Sequence, residues 1–378
     1  MWAGMSTAPD VIVIGAGLHG CSAALHLALR GQRVMVIEKN TAGRHASGVN
    51  AGGVRRLGRH PAEIPLSIAS LELWHRIREL VDDDCGFQAT GNIKLAESAD
   101  DMAILEERAG LVRGLGFEHE EMVDQTEARR LVPAAAPHIK GGLVSRRDGF
   151  ADPARTSRAF RVKAESLGVV FRERSRVVGI ERRADDWVVV TEEGRFEAPT
   201  VVNCAGAWGD QIAGWLGEPV PLRAGGLMMI VTARVPHFND PVVGLASRAL
   251  SFKQTAEGTV LIGGTLHTSA DRDRETTRLD FSRLARSGRT VSDVFPHLRG
   301  VPVMRCWAGI EGFMPDDIPV IGPSRTAPGV FHAFGYCGHG FELGPAVGGV
   351  IAELVTQGKT NIPIAPFSID RFADGVTV

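Results

Sequence analysis

The strongest constraint on this chain is a glycine-rich turn between two short apolar segments close to its start. Val11–Ile14 has the composition of a buried strand, and Arg33–Ile37 has the same character after an intervening helical pattern. The hexapeptide GAGLHG at residues 15–20 fits the pattern G-x-G-x-x-G. Its glycines permit a tight turn, close approach of a pyrophosphate and packing of the helix on the strand. The segment predicts a β-α-β unit that binds a dinucleotide.

The residue after the second strand narrows the choice of dinucleotide. Glu38 is placed to accept hydrogen bonds from a ribose 2′-hydroxyl, and its charge disfavours the 2′-phosphate of NADP. The glycine pattern by itself does not separate NAD from FAD. A long loop of small residues, 39–56, follows Glu38, and long ordered loops in compact domains are usually functional.

Composition and charge exclude several other classes of protein. Lys and Arg number 42 against 44 Asp and Glu, so no basic excess points to nucleic acid or a membrane surface. No apolar run is long enough to span a membrane, and residues 1–10 lack the pattern of a secretory signal. The five cysteines are scattered without C-x-x-C spacing, so we expect no disulfide framework, no metal site and a cytoplasmic location.

Further short motifs follow in order along the chain. They are D-G-F-A-D-P at 148–153, R-V-V-G-I at 176–180, V-V-N-C-A-G-A-W at 201–208, W-A-G at 307–309, P-D-D-I-P-V-I-G at 315–322 and G-Y-C-G-H-G-F at 335–341. Within the first motif, Asp152 is a suitable helix cap and Pro153 a suitable first-turn residue. The last motif leads into an apolar helix, for which Pro345 suits the first turn.

The loop and these motifs resemble the D-amino-acid oxidase superfamily of FAD-dependent oxidoreductases, in its glycine oxidase and sarcosine oxidase β-subunit branch. In that branch a loop of pattern A-S-G-x-N-A-G-G-[IV]-R runs along the FAD pyrophosphate and under the flavin ring. The resemblance covers residues 11–355. It implies FAD, which we expect to be bound non-covalently because Cys306 is several residues from the attachment region of covalent relatives.

The resemblance also implies an α/β fold. We expect a Rossmann-like, glutathione-reductase-like FAD-binding domain with an inserted α+β substrate domain that carries an antiparallel sheet. The motif order assigns residues 1–60, 149–215 and 305–378 to the discontinuous FAD-binding domain. Residues 61–148, with a helical stretch at 62–80, and 216–304 then form a substrate-binding roof domain.

The predicted cofactor-binding residues come from the fingerprint, the long loop and the later motifs. They are Gly15, Ala16, Gly17, Leu18, His19, Gly20, Glu38, Lys39, Arg44, Ala46, Ser47, Asn50, Ala51, Gly52, Gly53, Arg55, Val177, Cys204, Ala205, Gly206, Trp208, Gly338, His339, Gly340, Phe341 and Glu342. The loop N–H groups and the positive end of the last helix are expected to stabilise the anionic reduced flavin.

Substrate recognition departs from the relatives. A substrate carboxylate needs a cation, best an arginine, but Glu311 and Glu342 occupy places where relatives carry basic residues. The arginines at the end of the flavin loop are the alternative anchors, and we predict Arg56 and Arg59 as catalytic-site residues together with His339 and Glu311. Glu311 contacts either a substrate ammonium or distal cation, or only Arg305, Arg56 or a backbone nest within the protein, and both roles stay open. For Glu342 the structural role is favoured.

These observations predict FAD-dependent oxidation of the C–N bond of a small amino or imino acid. The substrate is left as an N-substituted glycine, an iminodiacid, a cyclic imino acid or a D-amino acid, and hydride passes to flavin N5 to give an imine that hydrolyses. The alternative is a flavin-carrying subunit of a multi-subunit amine or opine dehydrogenase. The electron acceptor, oxygen or another molecule, stays open because Lys253 is out of register with the lysine that assists oxygen in some relatives. Whether the chain forms a homo-oligomer or binds partner subunits also stays open.

Overall fold

A computed structural model describes residues 8–373, with residues 264 and 265 as backbone only. The strands are β1 Val11–Ile14, β2 Val34–Ile37, β3 Gly53–Val54, β4 Asn92–Ala96, β5 Glu121–Asp124, β6 Gly141–Ser145, β7 Gly149–Phe150, β8 Val170–Arg172, β9 Val177–Arg183, β10 Asp186–Thr191, β11 Arg195–Ala198, β12 Thr200–Asn203, β13 Arg223–Thr232, β14 Val242–Leu245, β15 Phe252–Gln254, β16 Val260–Thr268, β17 Ala270–Asp271, β18 Thr276–Thr277, β19 Val303–Phe313, β20 Val320–Pro323 and β21 Val330–Phe334. The helices are α1 Leu18–Leu29, α2 Ala46–Val49, α3 Ile64–His75, α4 Ile77–Val81, α5 Ala99–Gly114, α6 Gln125–Leu131, α7 Pro153–Ser166, α8 Gly209–Trp215, α9 Phe281–Val294 and α10 Gly340–Gln357. The predicted lack of a secretory signal concerns a segment whose first seven residues lie outside the described range.

A six-stranded sheet forms the first layer, in the order β20-β21-β12-β1-β2-β8. Its strands are parallel except β20, and the fully buried β1 lies between β12 and β2. Helices α1, α7 and α10 cover one face and share one apolar core with it. The β-α-β unit and the Rossmann-like sheet predicted from the fingerprint are confirmed.

An eight-stranded sheet forms the second layer, in the order β19-β13-β16-β15-β14-β4-β6-β5. The predicted antiparallel pairing is found throughout except between β14 and β4, which are parallel. On the outer face, side chains such as Met228 and Ile230 pack with α9 in a second core. On the inner face, Leu227 and Met229 pack with Trp307 and with Ala51 of the long loop. The sheet therefore covers that loop.

Two local expectations need correction. The helical stretch at 62–80 is two helices, since the chain leaves helical geometry at Arg76. Pro345 is not in the first turn of α10, because the helix already begins at Gly340. Asp152 does cap α7, accepting a hydrogen bond from the Arg155 N–H at 2.9 Å, with Pro153 in the first turn.

The predicted domain division is not decided by the strand pairing. One of its boundaries, at residue 305, falls inside β19, which belongs to the eight-stranded sheet. Within the described range, no helix has the length and apolarity needed to cross a membrane.

Candidate active site

A cleft opens at the carboxyl ends of β1, β2 and β12, where α/β sheets usually bind their ligands. Gly15 has a φ of +100°, and a Cβ there would lie 2.5 Å from the Cys204 carbonyl oxygen. A Cβ on Gly20 would lie 1.9 Å from the Gly15 oxygen, so helix and strand pack only with glycine at this position. Gly17 is the N-cap residue of α1, and the Leu18 N–H donates to Ser47 Oγ at 2.9 Å, so Ser47 and the positive end of α1 lie together at the cleft.

The polar groups of the cleft fit FAD. Glu38 lines it and is held by the backbone N–H groups of Ala16 and Asn40, each at 2.8 Å from a carboxylate oxygen. Tyr336 Oη and His19 Nε2 are buried in the cleft wall without a hydrogen-bond partner in the described part of the chain. A bound ligand with polar atoms would satisfy them. Glu38 would hold the ribose of FAD, and the α1 N-terminus its pyrophosphate.

One end of the cleft, here called the adenosine end, is lined by Lys39, His45 and Arg176, which contact the hairpin of β17 and β18. Glu275 in this hairpin reaches Lys39 at 3.0 Å, Arg176 at 2.7 Å and His45 at 3.3 Å. Its contacts with Lys39 and Asn40 outweigh burial and lower the pKa of Glu275 to about 2.

At the other end, here called the flavin end, β19 and the long loop meet closely. Trp307 Nε1 donates to the Val49 carbonyl at 2.8 Å, and a Cβ on Gly309 would lie 2.5 Å from Val49 Cγ2. Helix α10 starts here, and its first N–H groups lack a side-chain cap. Its positive end therefore favours negative charge at this end of the cleft.

The cleft brings together most of the predicted cofactor residues. Those that line it are Gly15, Gly17, Leu18, His19, Glu38, Lys39, Arg44, Ala46, Ser47, Asn50, Val177, Cys204, Ala205, Gly206, Trp208, Gly338, Gly340 and Phe341. Those outside its lining are Ala16, Gly20, Ala51, Gly52, Gly53, Arg55, His339 and Glu342. The sequence analysis did not select Ser175, Arg176, Gln211, Trp215 and Tyr336, although Arg176 and Tyr336 lie within two of its motifs.

Glu311 lines the cleft near its flavin end. Its carboxyl group has no hydrogen-bond or ion-pair partner among the side chains that the structure describes, so the structural ion pair considered above is absent from that part of the chain. Burial raises the pKa of Glu311 to about 8. The carboxyl group is therefore largely protonated at neutral pH unless a cation lies beside it.

His339 is held by protein groups. Its Nε2 lies 3.1 Å from the Asp317 carbonyl oxygen, and its Nδ1 lies 3.3 Å from Glu63 Oε1. Burial lowers the pKa of His339 and so favours the neutral ring, while the contact with Glu63 acts in the opposite direction. In this position it fixes the turn that precedes α10.

The predicted arginine anchors are engaged with buried carboxylates. Arg56 Nε lies 3.5 Å from Asp148, whose other oxygen accepts from the Arg56 backbone N–H at 2.8 Å. Arg59 Nη2 donates to Glu342 at 2.9 Å, and both side chains are almost fully buried. Glu342 thus pairs inside the protein, although Arg59 Nη1 is buried without a partner in the part of the chain described.

Two lysines that the sequence analysis did not select lie beside the long loop or the residues directly after it. A Cβ on Gly52 would be 3.0 Å from Lys253 Nζ, and a Cβ on Gly58 would be 3.0 Å from Lys94 Nζ. Burial lowers the pKa of Lys253 to about 7. In the sequence, only the position of Lys253 in the predicted roof sheet indicated a role for it. No sequence feature indicated a role for Lys94.

Cleft, fingerprint and covering sheet define an FAD-binding oxidoreductase. The sequence profile of the DAO family, described as FAD dependent oxidoreductase, matches residues 10–354, and the chain belongs to this family. The predicted family, the fold class and FAD as the cofactor are confirmed, and non-covalent binding of FAD stays a prediction.

Individual relatives match over nearly the whole chain. Glycine oxidase of Geobacillus kaustophilus (strain HTA426) is 27% identical, covering 98% of both chains. Sarcosine oxidase subunit beta of Rhizobium meliloti (strain 1021) is 26% identical, covering 98% of this chain and 89% of its own. The crystal structure of L-proline dehydrogenase from P. horikoshii matches with a TM-score of 0.88 and 26% identity, covering 98% of this chain and 99% of that one.

Proposed function

We propose that the protein oxidises the C–N bond of a small amino or imino acid, with FAD as the hydride acceptor. The observation that carries this proposal is the carboxyl group of Glu311, which lines the cleft without a partner among the described side chains, while cationic side chains lie beside residues 52–58. Glu311 complements the ammonium of an amino acid, and a cation of the neighbouring loop complements its carboxylate. The named relatives act on glycine, sarcosine and L-proline, which supports the same class of substrate.

The chain's own residues supply binding, orientation and electrostatics. Bound FAD supplies the oxidant, which accepts a hydride from the C–H beside the amine nitrogen. Glu311 holds the substrate ammonium, which restores the charge of this carboxyl group. The first N–H groups of α10 stabilise the negative charge that develops in the cleft on reduction. The inner face of the eight-stranded sheet excludes water through Leu227 and Met229.

The predicted carboxylate anchor is reassigned within this proposal. Because Arg56 and Arg59 already contact buried carboxylates, the neighbouring Arg55 and Lys253 are better placed to receive the substrate carboxylate. Arg55 donates to the Leu57 carbonyl at 2.7 Å and has no acidic partner within ion-pair distance in residues 8–373. The free Nη1 of Arg59 is a further donor at the same loop.

The test is an anaerobic panel monitored by flavin bleaching. Glycine, sarcosine, L-proline, D-alanine and iminodiacetate are each mixed with holoenzyme, and glycolate and L-lactate serve as nitrogen-free controls. We expect one or more amines to bleach the flavin while the hydroxy acids do not. Bleaching by the hydroxy acids alone would contradict the proposal.

A second candidate function is a flavin-carrying subunit of a larger complex. It is supported by the relative named as a β subunit and by exposed apolar side chains at the start of β19 and α9. Val303, Met304 and Phe281 are 56%, 67% and 72% exposed. Light scattering of the isolated chain and its turnover with oxygen distinguish the two functions. Full turnover by the chain without partner subunits would contradict the subunit function.

A further inference from the structure

A buried chain of polar side chains lies behind one wall of the cleft. Glu218, His332 and Asn203 each have at most 1% of their surface exposed. His332 Nε2 lies 3.0 Å from Glu218 Oε2, and His332 Nδ1 lies 3.2 Å from Asn203 Nδ2. Asn203 and His332 are directly opposite each other on the parallel strands β12 and β21, so the sheet register sets the second contact.

Asn203 joins this chain to the backbone of the segment 205–208, here called the cofactor turn. Its Oδ1 accepts a hydrogen bond from the Ala205 N–H at 3.2 Å, and its Nδ2 donates to the Gly209 carbonyl at 2.9 Å. All four residues of the cofactor turn line the cleft. One side-chain amide therefore holds both ends of a segment that faces the FAD site.

The two backbone groups admit only one orientation of the Asn203 amide. If its oxygen and nitrogen were exchanged, two donors would meet at Ala205 and two acceptors at Gly209, and both buried hydrogen bonds would be lost. The amide nitrogen therefore faces His332, and His332 Nδ1 has to accept its hydrogen bond. The proton of the neutral ring then lies on Nε2, from which it is donated to Glu218.

Glu218 fixes that tautomer because a carboxylate only accepts hydrogen bonds. Its Oε2 accepts from His332 and from the Ser324 hydroxyl at 2.7 Å, and its Oε1 accepts from the N–H groups of Arg325 and Thr326 at 2.5 and 3.2 Å. Burial opposes the charge, but the hydrogen bonds from His332 and Ser324 outweigh it and lower the pKa of Glu218. In the described part of the chain, no other ionisable side chain forms a hydrogen bond or ion pair with His332.

We propose that Glu218 and His332 are positioning residues for FAD, which act through Asn203 to hold the cofactor turn against the cofactor. None of the three lines the cleft, so their effect on FAD is carried by the backbone groups of Ala205 and Gly209. The inference concerns cofactor binding, and it holds whichever amine the protein oxidises.

The test compares two substitutions of His332. Holoenzyme is diluted in steps, and the fluorescence of released FAD gives its Kd. His332→Leu removes both ring nitrogens, so we expect the Kd for FAD to rise by about tenfold, the effect of leaving buried polar groups without a partner. His332→Gln can still donate an amide N–H to Glu218 and accept from Asn203 through its oxygen, so we expect a Kd within about threefold of wild type.

Glu218→Gln tests the proton assignment with a side chain of the same shape. Its oxygen can still accept from the N–H groups of Arg325 and Thr326, but its NH2 group donates to His332 Nε2. The ring proton then moves to Nδ1 and faces the Asn203 amide nitrogen, so we expect the Kd for FAD to rise by about tenfold. Ser324→Ala is the matched control: it removes a donor to the same carboxylate that has no contact with Asn203, and the Kd should stay within about twofold.

Two results would overturn the inference. If Glu218→Gln and His332→Leu both keep the wild-type Kd, the buried chain does not affect the cofactor. If Ser324→Ala and His332→Gln weaken FAD as much as His332→Leu, and the unfolding temperatures of the FAD-free variants fall in parallel, the chain only stabilises the fold. Should His332→Leu fail to fold, the difference in Kd between Glu218→Gln and Ser324→Ala decides between these outcomes.

Discussion

At the scale of single residues, Glu311 is the clearest test of how the cleft handles charge. A carboxylate beside the substrate ammonium raises the pKa of the bound amine, and only the neutral amine loses hydride. Glu311→Gln is therefore expected to shift the acidic limb of the kcat–pH profile to lower pH by about one unit. Glu257→Gln, at an exposed turn, is the control. Superimposable profiles would show that Glu311 does not contact the amine.

The same side chain makes the cofactor-free protein sensitive to pH. Burial raises the pKa of Glu311 to about 8 in the folded chain, whereas the ordinary value for a solvated glutamic acid is 4.5. Between these values the folded chain binds a proton that the unfolded chain has lost, so stability falls as pH rises, by on the order of 1 kcal/mol per pH unit. Below pH 4.5 the folded and the unfolded chain both carry this proton, so the stabilising effect of protonated Glu311 is fully present and no longer changes with pH. Denaturant unfolding of apoprotein across this window should show a shallower decline for Glu311→Gln than for wild type.

Arg59 gives a third test at this scale. Because its partner Glu342 is buried, Arg59→Met is expected to lower the free energy of unfolding by about 3–5 kcal/mol, the cost of leaving one charge unpaired. Adding Glu342→Gln should recover part of this loss. If Arg59→Met unfolds at the wild-type temperature and only raises KM, Arg59 is a substrate anchor, as the sequence predicts.

Residue positions were predictable where the cause is local. Gly15 and Gly20 follow from a turn that lies entirely within one hexapeptide. The partners of the arginines do not, because Asp148 and Glu342 lie 92 and 283 positions away from Arg56 and Arg59. The sequence offers several acids for each arginine, and only packing selects between them.

At the scale of elements, the β17–β18 hairpin was not anticipated as part of the cofactor site. Its Glu275 lies 235 positions from Asn40 and accepts a hydrogen bond from the Asn40 side-chain amide at 2.6 Å. The glycine turn and the caps of α7 were predictable, since each depends on neighbours in sequence. The long strand β19 was recognised only as a motif around Trp307, and its membership of the eight-stranded sheet depends on pairing with β13.

Removing the contacts of Glu275 should weaken the binding of FAD. Glu275→Ala is expected to raise the Kd for FAD by about tenfold, because it releases Lys39 and Arg176 together at the adenosine end. Fluorescence of free FAD during titration of apoprotein measures the change, with Glu257→Ala as the control. An unchanged Kd would mean that the hairpin is only a surface connection.

At the scale of the whole molecule, the fold and family predict a yellow protein. We expect the purified chain to show a flavin spectrum and to release FAD on heating or acidification. Excess FAD should stabilise the chain by about 2.7 kcal/mol at one hundred times its Kd. A colourless folded chain whose unfolding temperature rises with NADH and not with FAD would contradict this prediction.

The order of strands in the six-stranded sheet has a consequence for synthesis on the ribosome. β1 is synthesised well before its neighbour β12, which ends at residue 203, and before β21, which ends at residue 334. α10, which packs against α1, comes later still. The apolar strand β1 therefore stays without its partner β12, and α1 without α10, until most of the polypeptide has been synthesised. A prematurely terminated product would expose this strand, so it should be a substrate for chaperones or proteases and not a partly active enzyme.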